Sequence, residues 1–76
     1  MQIKILGKGC PKCIALEEAV RKVADKNNIA IEVEKVMDIN DIMAYGVPMT
    51  PGLVIDGEFK SAGKIPSEEQ ILAWLR

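Results

Sequence analysis

Two cysteines separated by two residues are the part of this sequence whose types and spacing could do chemistry. They stand at Cys10-Pro11-Lys12-Cys13 in a chain of 76 residues that has no histidine. Such a pair can form a reversible disulfide, bind a soft metal ion or lie inertly in a core. A disulfide across so short a loop constrains little of the unfolded chain. The pair is therefore not expected to serve mainly to stabilise the folded protein. A structural zinc site is also disfavoured, because two cysteines cannot fill four ligand positions.

The position of the pair favours disulfide exchange. A strand-like run, Gln2–Leu6, and the loop Gly7-Lys8-Gly9 precede Cys10, while Pro11 suits the first turn of a helix. A helix N-terminus stabilises a thiolate, and Lys12 adds positive charge there with Lys8 nearby. Cys13 would lie one turn further in, within reach of Cys10 but shielded from a bulky partner. The pattern therefore predicts a nucleophile at Cys10 and a resolving thiol at Cys13.

Apolar spacing predicts two βα units around this motif. The helix opened by Pro11 runs to about residue 27, and residues 29–36 form a second strand. Asp38 is the predicted N-cap of a short second helix that ends at Gly46. Because a strand, a crossover helix and a strand form a right-handed parallel pair, the first two strands should lie side by side. The predicted inward residues are Leu16, Val20, Val23 and Ala24 on the first helix and Ile39, Ile42 and Met43 on the second.

A hairpin and a third helix complete the pattern. Asp56-Gly57 is a strong hairpin signal between the strand at residues 53–55 and its partner at residues 58–62. Ser67 and Gln70 fit a capping box at the start of the last helix. The order β-α-β-α-β-β-α predicts an α/β fold with a four-stranded mixed sheet and three helices, in a single domain over residues 1–76.

With these elements in place, the chain resembles the thioredoxin/glutaredoxin superfamily, and most closely its short branch of redox-active disulfide proteins. The resemblance covers nearly the whole chain, including the cysteine motif, Thr50-Pro51, the hairpin and the last helix. It implies a thioredoxin-like fold in which Cys10 attacks, Cys13 resolves and the backbone around Thr50 pairs with the substrate chain. It also implies a cis Thr50–Pro51 bond facing the disulfide, whereas the Val47–Pro48 bond is expected to be trans.

The predicted site has catalytic residues and substrate-binding residues. The catalytic set is Cys10, Cys13, Lys12 and Pro51, and the substrate-binding set is Pro11, Thr50 and Met49. Met49, together with Ile14 and Tyr45, forms either an apolar docking rim or part of the core. The sequence also departs from larger thioredoxins at two positions. Gly9 replaces their tryptophan before the first cysteine, and Lys4 stands where they carry a buried carboxylate.

Charge and length limit the expected partners. The formal net charge is −1 without a basic stripe, so nucleic acid is not expected. The apolar runs are far shorter than the ~20 residues of a membrane helix, and the N-terminus does not resemble a signal peptide. We therefore expect a cytoplasmic monomer without a membrane partner. The resemblance implies that it reduces disulfides of client proteins, has no bound cofactor and takes electrons from a separate reductase.

A soft-metal carrier is the main alternative. Small copper-carrying domains also place a CxxC motif between a first strand and a helix, and thiolates bind Cu(I) well. Those domains follow the order β-α-β-β-α-β and end in a strand, whereas the pattern here ends in a helix and includes Thr50-Pro51. Their usual methionine two residues before the first cysteine is Lys8 in this chain.

Overall fold

The computed structural model describes residues 1–46 and 49–76. The described residues form seven elements in the predicted order, which confirms the α/β fold with four strands and three helices. The elements are β1 (Gln2–Leu6), α1 (Pro11–Lys26), β2 (Glu32–Val36), α2 (Ile39–Ala44), β3 (Gly52–Ile55), β4 (Glu58–Ala62) and α3 (Glu68–Leu75).

The strands form one mixed sheet in the order β2-β1-β3-β4. β1 pairs in parallel with β2 and antiparallel with β3, and β3 pairs antiparallel with β4. The C-terminal end of the central strand β1 therefore lies between β2 and β3. There the backbone N–H of Gly7 donates to the carbonyl of Val36 at 2.9 Å. This bond holds the chain against β2 at the point where it leaves the sheet for the cysteine motif.

Two hydrophobic clusters cover the two faces of the sheet. The larger one joins α1 and α3 to the face that carries Ile3 and Ile5, and it contains the whole predicted stripe of α1. The smaller one lies on the opposite face beneath α2, where Ile42 packs with Leu6, Val36 and Val54. α1 is thus anchored to the sheet along its length, which gives its N-terminus a stable position.

The predicted hairpin turn and the predicted N-cap residues are confirmed. Asp56 and Gly57 both have positive φ, 48° and 84°, as a type I′ hairpin turn requires. The side chain of Asp38 caps α2. Ser67 caps α3, where its Oγ accepts a hydrogen bond from the backbone N–H of Gln70 at 3.2 Å. These residues satisfy backbone groups that have no partner within their own helix.

Two details of the prediction are wrong. Ile39 and Met43 are exposed rather than inward, because α2 has only six residues and turns one apolar side chain, Ile42, onto the sheet. β2 begins at residue 32 rather than 29. The N–H of Ile29 instead donates to the carbonyl of Ala24, so this residue is bonded to the last turn of α1 rather than to the sheet. The predicted trans Val47–Pro48 bond lies outside the described residues.

Candidate active site

The loop after β1 places the cysteine motif at the start of α1. Cys10 is the N-cap residue, with extended backbone angles of φ −69° and ψ 163°, and Pro11 opens the helix. The N–H of Ile14 donates to the Cys10 carbonyl at 3.0 Å, so the first helical turn encloses the motif. Gly9 turns the chain into the cap with a φ of 75°, a conformation that glycine adopts without strain.

The two thiols lie in contact but in unequal surroundings. Their Sγ atoms are 2.6 Å apart and both cysteines are free. The backbone N–H of Cys13 also donates to the Sγ of Cys10 at 3.3 Å. Cys10 is half-buried, whereas Cys13 is only 4% exposed. A large partner can therefore approach Cys10, while Cys13 is reached from Cys10.

The same contacts separate the two pKa values. The Cys13 thiol and then the Cys13 backbone N–H lower the pKa of Cys10, because both hydrogen bonds favour its thiolate. Lys12 contributes through its backbone N–H, and its side chain is exposed. Burial raises the pKa of Cys13, and its hydrogen bond to Cys10 raises it further. These contacts therefore favour the thiolate at Cys10 and the protonated thiol at Cys13.

Gly7 provides the space for the buried thiol. A Cβ atom at this position would overlap the Sγ of Cys13, and it would lie 3.8 Å from the Cβ of Thr50. Both Cys13 and Thr50 therefore lie close to residue 7 at the end of β1, and the Cys13 sulfur occupies space that a side chain there would fill. The sequence pattern places Gly7 only in the loop before Cys10. The usable signal is a glycine directly after a strand that leads into a cysteine motif.

The second predicted segment begins at Met49, where the described residues resume. The Thr50–Pro51 peptide bond is cis, as the sequence predicts. Pro51 is buried and its carbonyl accepts a hydrogen bond from the N–H of Gly63 at 2.8 Å. Thr50 is exposed, and Met49 is 59% exposed with its side chain against Gly63. Met49 is therefore a surface residue rather than part of the core.

Lys4 occupies the strand position at which larger thioredoxins carry a carboxylate. Its Nζ donates to the hydroxyl of Tyr45 at 3.0 Å and lies 5.8 Å from the centre of that ring. The hydrogen bond to Tyr45 raises the pKa of Lys4, so its side chain stays a cation. Lys4 is thus unsuited to accept a proton from Cys13. Tyr45 packs against the smaller hydrophobic cluster, as a partial core residue does.

Within residues 1–46 and 49–76, no group of three or more histidine, cysteine, aspartate or glutamate side chains is arranged to hold a metal ion. No helix there has the length and apolar character needed to cross a membrane.

Similarity to known proteins agrees with the fold. The model of the thioredoxin domain family matches residues 1–76. A thioredoxin of Methanothermobacter thermautotrophicus is 38% identical over 71 residues, which cover 93% of this chain and 92% of the relative. A thioredoxin of Methanocaldococcus jannaschii is 44% identical over 69 residues, which cover 91% of this chain and 79% of the relative. The chain belongs to the thioredoxin domain family and is a thiol–disulfide oxidoreductase.

Proposed function

We propose that this protein reduces disulfides of client proteins, with Cys10 as the attacking thiolate and Cys13 as the resolving thiol. The observation that carries the proposal is the contact between two unequal sulfurs. Cys10 is accessible and has a lowered pKa, whereas Cys13 is buried and has a raised pKa. The thiolate is the reactive form of cysteine, so the first attack belongs to Cys10.

The reaction runs in two exchange steps. The Cys10 thiolate attacks one sulfur of the client disulfide, forms a mixed disulfide and releases the other client sulfur as a thiolate. Cys13 then loses its proton and attacks the Cys10 sulfur, which breaks the mixed disulfide and releases the second client thiolate. The two client sulfurs gain two electrons and two protons, and Cys10 and Cys13 form a disulfide. A separate reductase returns two electrons and two protons to that disulfide.

Residues around Cys10 support the docking of an extended client segment. Pro11 and Lys12 are exposed beside Cys10 on the first turn of α1. Thr50 is exposed at the end of β1 near Cys13, so its backbone is suited to pair with the client chain. Pro51 is buried directly after Thr50, and Met49 offers an exposed apolar contact.

The remaining parts of the proposal concern the molecule as a whole. Both hydrophobic clusters are built on one sheet, which supports a single domain over residues 1–76. We expect it to act as a monomer in the cytoplasm, without a resident cofactor and without nucleic acid or membrane partners. Its formal net charge of −1 agrees with that expectation.

Trapping of client proteins tests the assignment of the two thiols. Cys10→Ser should abolish insulin-disulfide reduction and form no covalent complex. Cys13→Ser should also abolish turnover, but it should accumulate a mixed disulfide through Cys10 that appears as a reductant-sensitive band on a non-reducing gel. Trapping by Cys10→Ser instead would invert the assignment. Full activity of both variants, or tight one-to-one Cu(I) binding with no reductase activity, would contradict the proposed function.

A further inference from the structure

A small cavity is lined by the buried residue Cys13 and by Glu17. Its volume is about 20 Å³, which is enough for one water molecule. One part of its wall is polar and the rest is largely apolar. The polar lining residues are Cys13, Glu17 and Lys35, and the apolar ones include Ile5, Ile14 and Met37.

The helix and the neighbouring strand place Glu17 at this cavity. Residues four apart on a helix are neighbours, so Glu17 lies one turn after Cys13 on the same face of α1. Its side chain is only 14% exposed. One carboxylate oxygen lies 3.0 Å from the Nζ of Lys35 on β2, and the other accepts a hydrogen bond from the Nε of Arg21 at 2.9 Å. These two cations hold the carboxylate in place and lower the pKa of Glu17, so it is ionised at neutral pH.

The resolving step requires a proton acceptor near Cys13. Cys13 must lose a proton before it can attack, yet its thiol is 4% exposed and its pKa is raised. Lys4 is a cation bound to Tyr45 and cannot take that proton. Among the residues that line the cavity beside Cys13, Glu17 is the one that carries a carboxylate.

We propose that Glu17 relays the proton of Cys13 to solvent through one water molecule in this cavity. The inference rests on the proposed function, because it concerns the step in which Cys13 attacks the mixed disulfide. The Sγ–H bond of Cys13 breaks, its proton passes to the water, and the water passes a proton to the Glu17 carboxylate. The resulting thiolate attacks the Cys10 sulfur, and the electron pair of the broken mixed disulfide leaves on the client sulfur.

The charges around Glu17 favour rapid release of a proton from its carboxylate over retention of that proton. Lys35 faces its carboxylate from β2 and Arg21 faces it from α1, while Cys10 is the titratable group in contact with Cys13. A carboxylate between two cations gives up a proton quickly, so Glu17 passes it to bulk water through the exposed part of its side chain. The client thiolate takes up a proton from solvent, and the number of protons is conserved. Glu17 therefore changes the rate of the step without appearing in its products.

A two-step colour reaction separates this role from the rest of the mechanism. One equivalent of 5,5′-dithiobis(2-nitrobenzoate) mixed with reduced protein releases one coloured thiolate when Cys10 attacks and a second when Cys13 resolves. Glu17→Gln should leave the first release unchanged and slow the second by about a hundredfold, the lower end of proton-transfer contributions. Imidazole, a small external base, should restore the second release of the variant in proportion to its concentration. Wild-type protein should not respond to imidazole.

Glu18→Gln is the matched control, because Glu18 is the exposed next residue on the same helix. It should leave both releases unchanged. The first release also reports within the same trace whether each variant is folded. Equal slowing of both releases by Glu17→Gln would assign Glu17 a structural role and overturn the proposal.

Other results would overturn the relay in different ways. An unchanged second release in Glu17→Gln would do so, and a faster one would show that the Glu17 charge merely opposes thiolate formation. A wild-type second release that accelerates with imidazole would overturn the relay without recourse to any variant. Failure of the proposed function can be told apart from failure of the relay. It would appear as a second thiolate release that persists in Cys13→Ser.

Discussion

Replacing Gly7 with alanine should push the buried thiol of Cys13 away from Cys10. The added Cβ would overlap the Sγ of Cys13, whereas the Cβ of Cys13 lies at an ordinary 3.6 Å from the same position. The backbone can remain in place, since Gly7 is not among the glycines with positive φ and alanine retains the N–H that donates to Val36. The strain therefore falls on the thiol.

The size of the effect follows from two opposing contributions. A glycine-to-alanine change at a compatible backbone position stabilises a protein by about 0.4–1 kcal/mol, because it restricts the unfolded chain. Overpacking a core costs about 1–3 kcal/mol. We expect Gly7→Ala to lower the free energy of unfolding by about 1 kcal/mol in the wild-type background. In the Cys13→Ala background the overlapping sulfur is absent. There Gly7→Ala should raise the free energy of unfolding by about 0.4–1 kcal/mol.

Urea unfolding of the four proteins under reducing conditions measures this double-mutant cycle. The difference between the two backgrounds should be about 1–3 kcal/mol. The first thiolate release from 5,5′-dithiobis(2-nitrobenzoate) should survive in Gly7→Ala, and the second should slow by about a hundredfold, because a displacement near 1 Å can cost that much. Gly7→Ala effects of the same sign and size in both backgrounds would refute the steric argument.

Three further predictions test the thiol pair, the ion pair and the core. Cys13→Ala should raise the pKa of Cys10 towards that of an ordinary cysteine, because the Cys13 thiol is the largest cause of its lowering, and iodoacetamide alkylation against pH measures this. An unchanged titration would contradict it. The pKa of Glu17 in the folded protein lies below its ordinary 4.5, so its contribution to stability is present above pH 4.5 and is lost as the pH falls through the folded pKa. The difference in unfolding free energy between wild type and Glu17→Gln should shrink in that range, and a constant difference would argue against the linkage. Leu16→Ala should lower the unfolding free energy by about 2–5 kcal/mol, measured with urea, because Leu16 is fully buried.

Local signals determined much of this protein from the sequence alone. The strand, the glycine loop and Pro11 place the cysteine motif at a helix N-terminus, because each signal acts within a few residues. The hairpin turn at Asp56-Gly57 and the cap at Ser67 are local in the same sense, and both form as predicted. The element order and the family resemblance follow from these signals, since short connections leave few topologies.

The weaker parts of the prediction depended on how elements pack. The pattern of α2 allowed three inward residues, but the space beneath this six-residue helix admits Ile42 and leaves Ile39 and Met43 in solvent. The second strand was predicted too long, because apolar alternation at residues 29–31 does not reveal that Ile29 bonds back to α1. Side-chain periodicity predicts which residues could be buried. The packing of neighbouring elements determines which of them are buried.

The difference between the two sulfurs and the groups that surround them depend on how the elements pack. Spacing predicts that Cys13 lies one turn inside the helix, but its burial requires α1 to pack on β1 with no side chain at Gly7. The contact between Glu17 and Lys35 joins α1 to β2, and no local pattern links the two residues. It arises because the parallel pairing of β1 and β2 brings Lys35 alongside Ile5, on the strand that leads to Cys10. Electrostatic and steric effects act through space, so they appear only when the crossover has brought distant parts of the chain together.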